Sequence, residues 1–168
     1  LGLGGYSRMG DDIGGFAGTP TTDLLTRWIE LGAFNVIYRD HTAKGSADQE
    51  PWVHGPEHEM IRRRYIELRY QMLPYIYTGI EEMTRTGLPF LRPIFLEYPQ
   101  ATDLEKDDHN FLFGRDLFVA PVDTEMLDAK EVTLPPGDWF DFWTGNKPPR
   151  HDKIQLHPKL DELPLYVR

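Results

Sequence analysis

Along the first half of the chain, apolar residues recur at helical intervals between short runs that end in charge. Leu24, Leu25, Trp28, Ile29 and Leu31 follow one another at helix spacing. Thr21, Thr22 and Asp23 stand ahead of them, two hydroxyls suited to capping and an acid for the first turn. Gly32 predicts the stop. Tyr6 to Met9 reads as a short strand feeding a loop over Asp11 to Gly18, and the run "AFNVIYRDHT" reads as a second strand ending in a polar cluster. Strand, loop, helix and strand in so few residues predict a parallel α/β unit.

Glu57 to Thr86 predicts a long helical region. Ile61, Tyr65, Leu68 and Met72 recur at steps of four, three and four and form one apolar stripe, with Arg62, Arg63, Arg64, Glu67 and Arg69 mostly on the other faces. Pro74 lacks the amide hydrogen and crowds the preceding turn, so the helix is expected to kink or restart there; Gly87 closes it. Beyond Gly87 the period changes. "LPFLRPIFLEYP", "FLFGRDLFVAPV", "KEVTLPPGDWFDFWTG" and "ELPLYVR" are short β-rich segments divided by Pro, Gly and Asp turns. Strands that pair locally, as in an antiparallel β-sandwich, fit this better than further α/β units. The expected organisation is therefore α/β over residues 1–87 and all-β over 88–168.

Composition narrows the function. Of the 168 residues 40% are apolar and 12% aromatic, the profile of a globular protein and not of a disordered one. A formal net charge of −9 argues against attraction to a nucleic acid backbone or an anionic membrane. No apolar run approaches the roughly 20 residues that cross a bilayer. The absence of cysteine removes disulfides, thiolate metal sites and cysteine nucleophiles together. Neither the opening "LGLGG" nor the closing "LPLYVR" reads as a natural terminus, and both are expected to be cuts through a longer protein.

Four stretches carry candidate chemistry. In "GDDIGGFAG" two adjacent carboxylates precede a glycine-rich turn. Like charges repel, so one of Asp11 and Asp12 is expected to face solvent while the other is aimed at a partner. Asp12, at a strand end on flexible backbone, can accept hydrogen bonds from a closely approaching ligand or simply cap the turn. Phe16 offers an apolar platform. In "YRDHTA", Arg39, Asp40 and His41 sit just past a strand, as barrel enzymes place active-site residues; the alternative is an Arg39–Asp40 ion pair beside a surface His41. "PWVHGPEHE" brings His54, Glu57, His58 and Glu59 together without metalloprotease spacing, which favours helix capping over a metal site. Trp139, Phe140, Phe142 and Trp143 either stack on sugar rings or pack a core and its edge. Phosphate-loop, nucleophile-elbow and dinucleotide fingerprints are absent from the sequence.

Taken in order, "GDDIGGFAG", "LLTRWIELGAFNVIYRDHTAKG", "RRRYIELRYQMLPYIYTG", "GLPFLRPIFLEYP" and "FLFGRDLFVAPV" resemble glycoside hydrolase family 31, the α-glucosidases and their relatives. The resemblance spans essentially the whole chain. It implies that residues 1–87 are the last part of a (β/α)8 TIM barrel, with strands seven and eight, and that 88–168 are a truncated proximal β-sandwich. It implies that Asp12, Phe16 and His41 line the subsite of the sugar to be cleaved, and that Asp11 occupies a variable position. The family's nucleophile and acid/base motifs, which follow strands four and six, do not occur, so no catalytic residue is expected here. The implied parent is a retaining, exo-acting α-glucosidase cleaving terminal α-linked glucose from oligosaccharides. An α-xylosidase, a transglucosylase, an α-glucan lyase or a non-catalytic carbohydrate-binding protein would share these motifs. Neither cofactor nor metal is implied; the implied partner is an oligosaccharide or α-glucoside.

Overall fold

The computed structural model describes residues 2–6, 8–122, 129–148 and 153–168. The chain divides into two compact units, Leu1–Pro89 and Phe90–Arg168.

The first unit holds β1 (Asp12–Ile13), α1 (Thr22–Gly32), β2 (Arg39–Asp40), α2 (Pro56–Gln71) and α3 (Leu73–Thr86). β1 and β2 pair in parallel with α1 as their crossover, the expected α/β arrangement. The strands are shorter than the apolar pattern predicts. Tyr6, Arg8 and Met9 form no strand, and Ser7 lies outside the described residues. The Met9 carbonyl nevertheless accepts from the Ile37 amide at 3.0 Å and prolongs the pairing. Among the described residues this sheet has two strands, so no closed barrel forms.

α1 starts as its sequence predicts, with the Thr21 hydroxyl accepting from the Leu24 amide. Leu25 and Ile29 are buried against Ile13, with Trp28, Tyr38 and Val53 around them; each buried aliphatic side chain contributes about 1.5–3 kcal/mol. Gly32 is the last residue of α1, Ala33 caps it in the right-handed conformation, and the reason for glycine is space. A Cβ at position 32 would lie 2.5 Å from Ile13 Cδ1 and 2.9 Å from Tyr38 Cε2. The absent side chain lets α1 settle onto β1 and β2.

Pro74 restarts the helix as expected: α2 ends at Gln71, Met72 makes the joint, and α3 carries proline in its first turn. Gly87 closes α3 in the left-handed conformation, its amide donating to Met83. The expectation that Arg62 and Arg69 occupy polar faces is overturned, because they are 0% and 8% exposed. The inward stripe is Arg62, Tyr65, Arg69 and Met72, with Ile61 beside it. Arg62 donates to the carbonyls of Val53 (2.8 Å) and Thr22 (3.2 Å) and to Thr26 Oγ1 (3.0 Å). Arg69 donates to the carbonyls of Ala33, Asn35 and Val36. These carbonyls lie where α1 begins, where it ends, and in the loop before α2. Unpaired buried acceptors are costly, and a guanidinium satisfies several at once. Burial pushes both guanidinium pKa values down.

The second unit is antiparallel. β3 (Leu91–Arg92), β4 (Phe111–Phe113), β5 (Leu117–Val119), β9 (Leu165–Val167) and β7 (Phe140–Asp141) form one sheet in the order β3-β4-β5-β9-β7. β6 (Lys130–Val132) and β8 (Ile154–Leu156) form a second. Phe118 and Tyr166 from the first sheet, and Trp139 just ahead of β7, share one core with Val132 from the second, against which Ile154 and Leu156 also pack. The short helix α4 (Ile94–Glu97) adds Ile94 to that core. The tryptophans of the aromatic run pack inward, while Phe140 is exposed with Lys147 over its ring. Trp139 is buried edge-on to Phe118, its indole N–H donating to the Pro135 carbonyl, and Trp143 donates to the Leu163 carbonyl.

Candidate functional site

Parallel pairing decides which side chains share a face. Asp12 is in register with Arg39, and Ile13 with Asp40. Successive strand residues point to opposite faces. Ile13 packs onto α1 together with Tyr38, whose hydroxyl donates to the Ile29 carbonyl at 3.1 Å. Asp12 and Arg39 therefore stand on the face turned away from α1, and Arg39 donates to Asp12 Oδ1. The alternative pairing of Arg39 with Asp40 does not form, because chain neighbours in a strand diverge.

The turn after β1 is shaped by glycine. Gly15 donates its amide to the Asp12 carbonyl at 2.8 Å, and Gly14 adopts φ 83°. A Cβ on Gly14 would meet Gln49 Oε1 at 2.4 Å, where Gln49 closes over the turn and donates from Nε2 to the Gly14 carbonyl at 3.1 Å. The turn delivers Phe16, whose carbonyl accepts from the Ala43 amide (2.9 Å) and the Thr42 hydroxyl (3.3 Å). The two loops are thus tied at the carboxyl ends of both strands, and the Phe16 and His41 rings lie 5.5 Å apart at a 35° tilt. Phe16 remains 53% exposed. Asp12, Phe16 and His41, separated by up to 29 positions in the chain, are brought to one end of the strand pair.

Asp11 is exposed, as expected of one carboxylate of the pair, but it is not left to solvent alone. It accepts from the Trp28 indole N–H and from the Asn35 side-chain amide, fastening the loop to the C-terminal half of α1 and the turn that follows it. The adjacent carboxylates are thus each given their own donors, Asp11 neutral ones and Asp12 a cation. That arrangement resolves the repulsion between them.

Beside His41, a cavity of about 340 Å³ is lined by Asp40, Thr42, Ser46, Asp48, Gln49 and Glu50 among others. Partial burial and the neighbouring Glu50 push the Asp40 carboxyl up to about 6, against the opposing pull of Arg62 and His41. The histidines of "PWVHGPEHE" serve helix packing: His58 Nδ1 lies 3.0 Å from Thr26 Oγ1, and His54 Nδ1 lies 3.1 Å from the Arg62 guanidinium. Among the described residues no group of three His, Asp or Glu is placed to hold a metal ion. No described helix is long and apolar enough to cross a membrane.

Two features escape the sequence reading. Arg39's partner is Asp12 across the sheet, and Gln49 pins the Gly14 turn. The first was discoverable in principle, since a parallel pairing of the two predicted strand ends sets an acid opposite a base. The second carries no local signal.

Residues 1–79 match the sequence profile of the glycosyl hydrolases family 31 TIM-barrel domain, and residues 87–168 match that of the glycosyl hydrolase family 31 C-terminal domain. The "Alpha-glucosidase 2" of Bacillus thermoamyloliquefaciens is 39% identical over the full length of the chain, which covers 21% of that protein. A variant of the Flavobacterium johnsoniae GH31 dextranase, solved with isomaltotriose, superposes at a TM-score of 0.93 with 36% identity, over 99% of this chain and 21% of that one. A GH31 α-xylosidase from a soil metagenome, solved with xylose, superposes at 0.93 with 27% identity, over 99% of this chain and 28% of that one. The chain spans about a fifth of the length of the curated relatives it matches. Both units, matched in order to consecutive domains of one family, establish that this chain belongs to glycosyl hydrolase family 31.

Proposed function

We propose that the chain is part of a retaining, exo-acting α-glucosidase that removes terminal α-linked glucose from oligosaccharides. Residues 1–87 supply the last barrel strands, seven and eight, and residues 88–168 the proximal β-sandwich. Asp12, Phe16 and His41 line the subsite for the sugar being cleaved. The observation that carries this is their convergence at the carboxyl ends of two parallel strands, the end at which barrel enzymes place their sites.

In such a site the two reacting carboxylates stand about 5–5.5 Å apart, one attacking the anomeric carbon and the other protonating the leaving oxygen and then activating water. Both belong to sequence outside these 168 residues. The residues here bind. An ionised Asp12 accepts from sugar hydroxyls, His41 exchanges hydrogen bonds with another, and Phe16 gives the ring an apolar wall. Hydrogen bonds that tighten as the ring flattens lower the barrier and not only KM.

The test uses the full-length protein with p-nitrophenyl α-glucoside. Asp12→Asn and His41→Ala are each expected to lower kcat/KM by about 2–4 kcal/mol, roughly 30- to 1000-fold. Unchanged kinetics in either variant removes that residue from the subsite. A wild-type preference for p-nitrophenyl α-xyloside would instead favour the xylosidase reading, to which the xylose-bound relative lends support. Saccharide binding without turnover would identify a non-catalytic carbohydrate-binding protein.

A further inference from the structure

Arg39 has no part in the reading above, yet it forms an ion pair with Asp12 on the proposed sugar-binding face. Its guanidinium donates to Asp12 Oδ1. Asp12 Oδ2 accepts no hydrogen bond from any described residue, and the Asp12 side chain keeps 22% of its surface open. The pair cannot reform elsewhere by a small slip. The register sets Asp12 opposite Arg39, the Ile37 amide bonded to the Met9 carbonyl holds it, and Asp40 lies on the other face.

We propose that Arg39 is a positioning residue for the glycosidase reaction. It occupies one oxygen of the Asp12 carboxylate, fixes its rotamer, and leaves the second oxygen presented to a sugar hydroxyl. The inference rests on the sugar-binding reading of Asp12. A free aspartate rotates about two side-chain bonds and presents either oxygen; a charge-assisted bond from a strand neighbour removes that freedom before the sugar arrives. A carboxylate oxygen held in place suits a hydroxyl donor and discriminates against a sugar position lacking one. Arg39, the more exposed partner of the pair, acts through Asp12.

The experiment is a double-mutant cycle in the full-length enzyme, with thermal melts run alongside. Arg39→Met is expected to lower kcat/KM toward p-nitrophenyl α-glucoside by about 10- to 100-fold, the worth of a hydrogen bond to a charged group. Arg39→Lys is expected to recover a large part of that loss, because it restores the charge without the planar fork. Added to Asp12→Asn, Arg39→Met is expected to cost less than about threefold more, since the group it positions is already impaired. Monodeoxy glucosides supply a second readout: the analogue on which Asp12→Asn has no effect is expected to be indifferent to Arg39→Met as well. Multiplying losses in the double variant, or Arg39→Met kinetics equal to the parent's, overturns the positioning role while the subsite reading stands. A harmless Asp12→Asn overturns the subsite reading and the inference with it.

Discussion

Replacing Gly32 with alanine tests whether helix packing sets the geometry of the candidate site. Two effects oppose each other. Alanine is favoured over glycine inside a helix by about 0.5–1 kcal/mol. The added methyl, however, would stand 2.5 Å from Ile13 Cδ1 and 2.9 Å from Tyr38 Cε2. Neither neighbour has room to retreat, because Ile13 is 1% exposed and the Tyr38 hydroxyl is held by the Ile29 carbonyl. Overpacking a closed core costs about 1–3 kcal/mol, so the clash wins and the net loss is about 1–2 kcal/mol. The relief available is movement of Ile13, and Ile13 adjoins Asp12 in β1. Gly32→Ala in the full-length protein is therefore expected to lower both the denaturant midpoint and kcat/KM. Ile13→Val deletes the Cδ1 that clashes. Alone it costs about 0.5–1.5 kcal/mol; in the Gly32→Ala background it is expected to cost nothing or to stabilise. Guanidinium unfolding and steady-state kinetics on the four proteins read the cycle. A Gly32→Ala protein that is more stable than the parent and equally active would refute the reasoning, as would two losses that simply add.

Asp40 supplies a pH prediction. Its carboxyl is pushed up to about 6 by burial and Glu50, so the folded state holds a proton that the unfolded chain has released; stability is expected to fall as pH rises from about 4 to about 6 and stay lower above it. The carboxyl is exposed enough for solvent screening to hold the effect to roughly 1 kcal/mol or less. Asp40→Asn should flatten the melting temperature across that window; a parent whose melting temperature rises through it would contradict the sign. The 168-residue chain alone is expected to turn over no p-nitrophenyl α-glucoside, since the two parallel strands of its described residues close no barrel and the proposed function puts the reacting carboxylates elsewhere. Measurable hydrolysis by the purified chain would sink that expectation.

The two arginines of α2 show where reading by hydrophobicity stops. Ile61, Tyr65 and Met72 were legible as inward residues because apolar side chains gain wherever water is removed. Arg62 and Arg69 share that inward surface, and only the carbonyls of Thr22, Val53, Ala33 and Asn35 gathered there give a guanidinium reason to be there. Asp11 shows the same limit, since its donors lie 17 and 24 positions away. Gly32 does end α1, as read, but not because a left-handed cap needs glycine: its missing Cβ answers to a strand on another segment.

What the sequence determined by itself was local. The Thr21 cap, the restart at Pro74, the closure at Gly87 and the shift to β periodicity follow from backbone chemistry acting over a few residues. The family followed from ordered blocks of residues. Tertiary structure alone decided the pairings: Asp12 with Arg39, Asp11 with Trp28, Phe16 with His41, and Gln49 over Gly14. The reason is register. A strand's alternation fixes which side chains share its face, but the neighbouring strand's offset fixes whom they meet, and that offset is set by the packing of α1 against both.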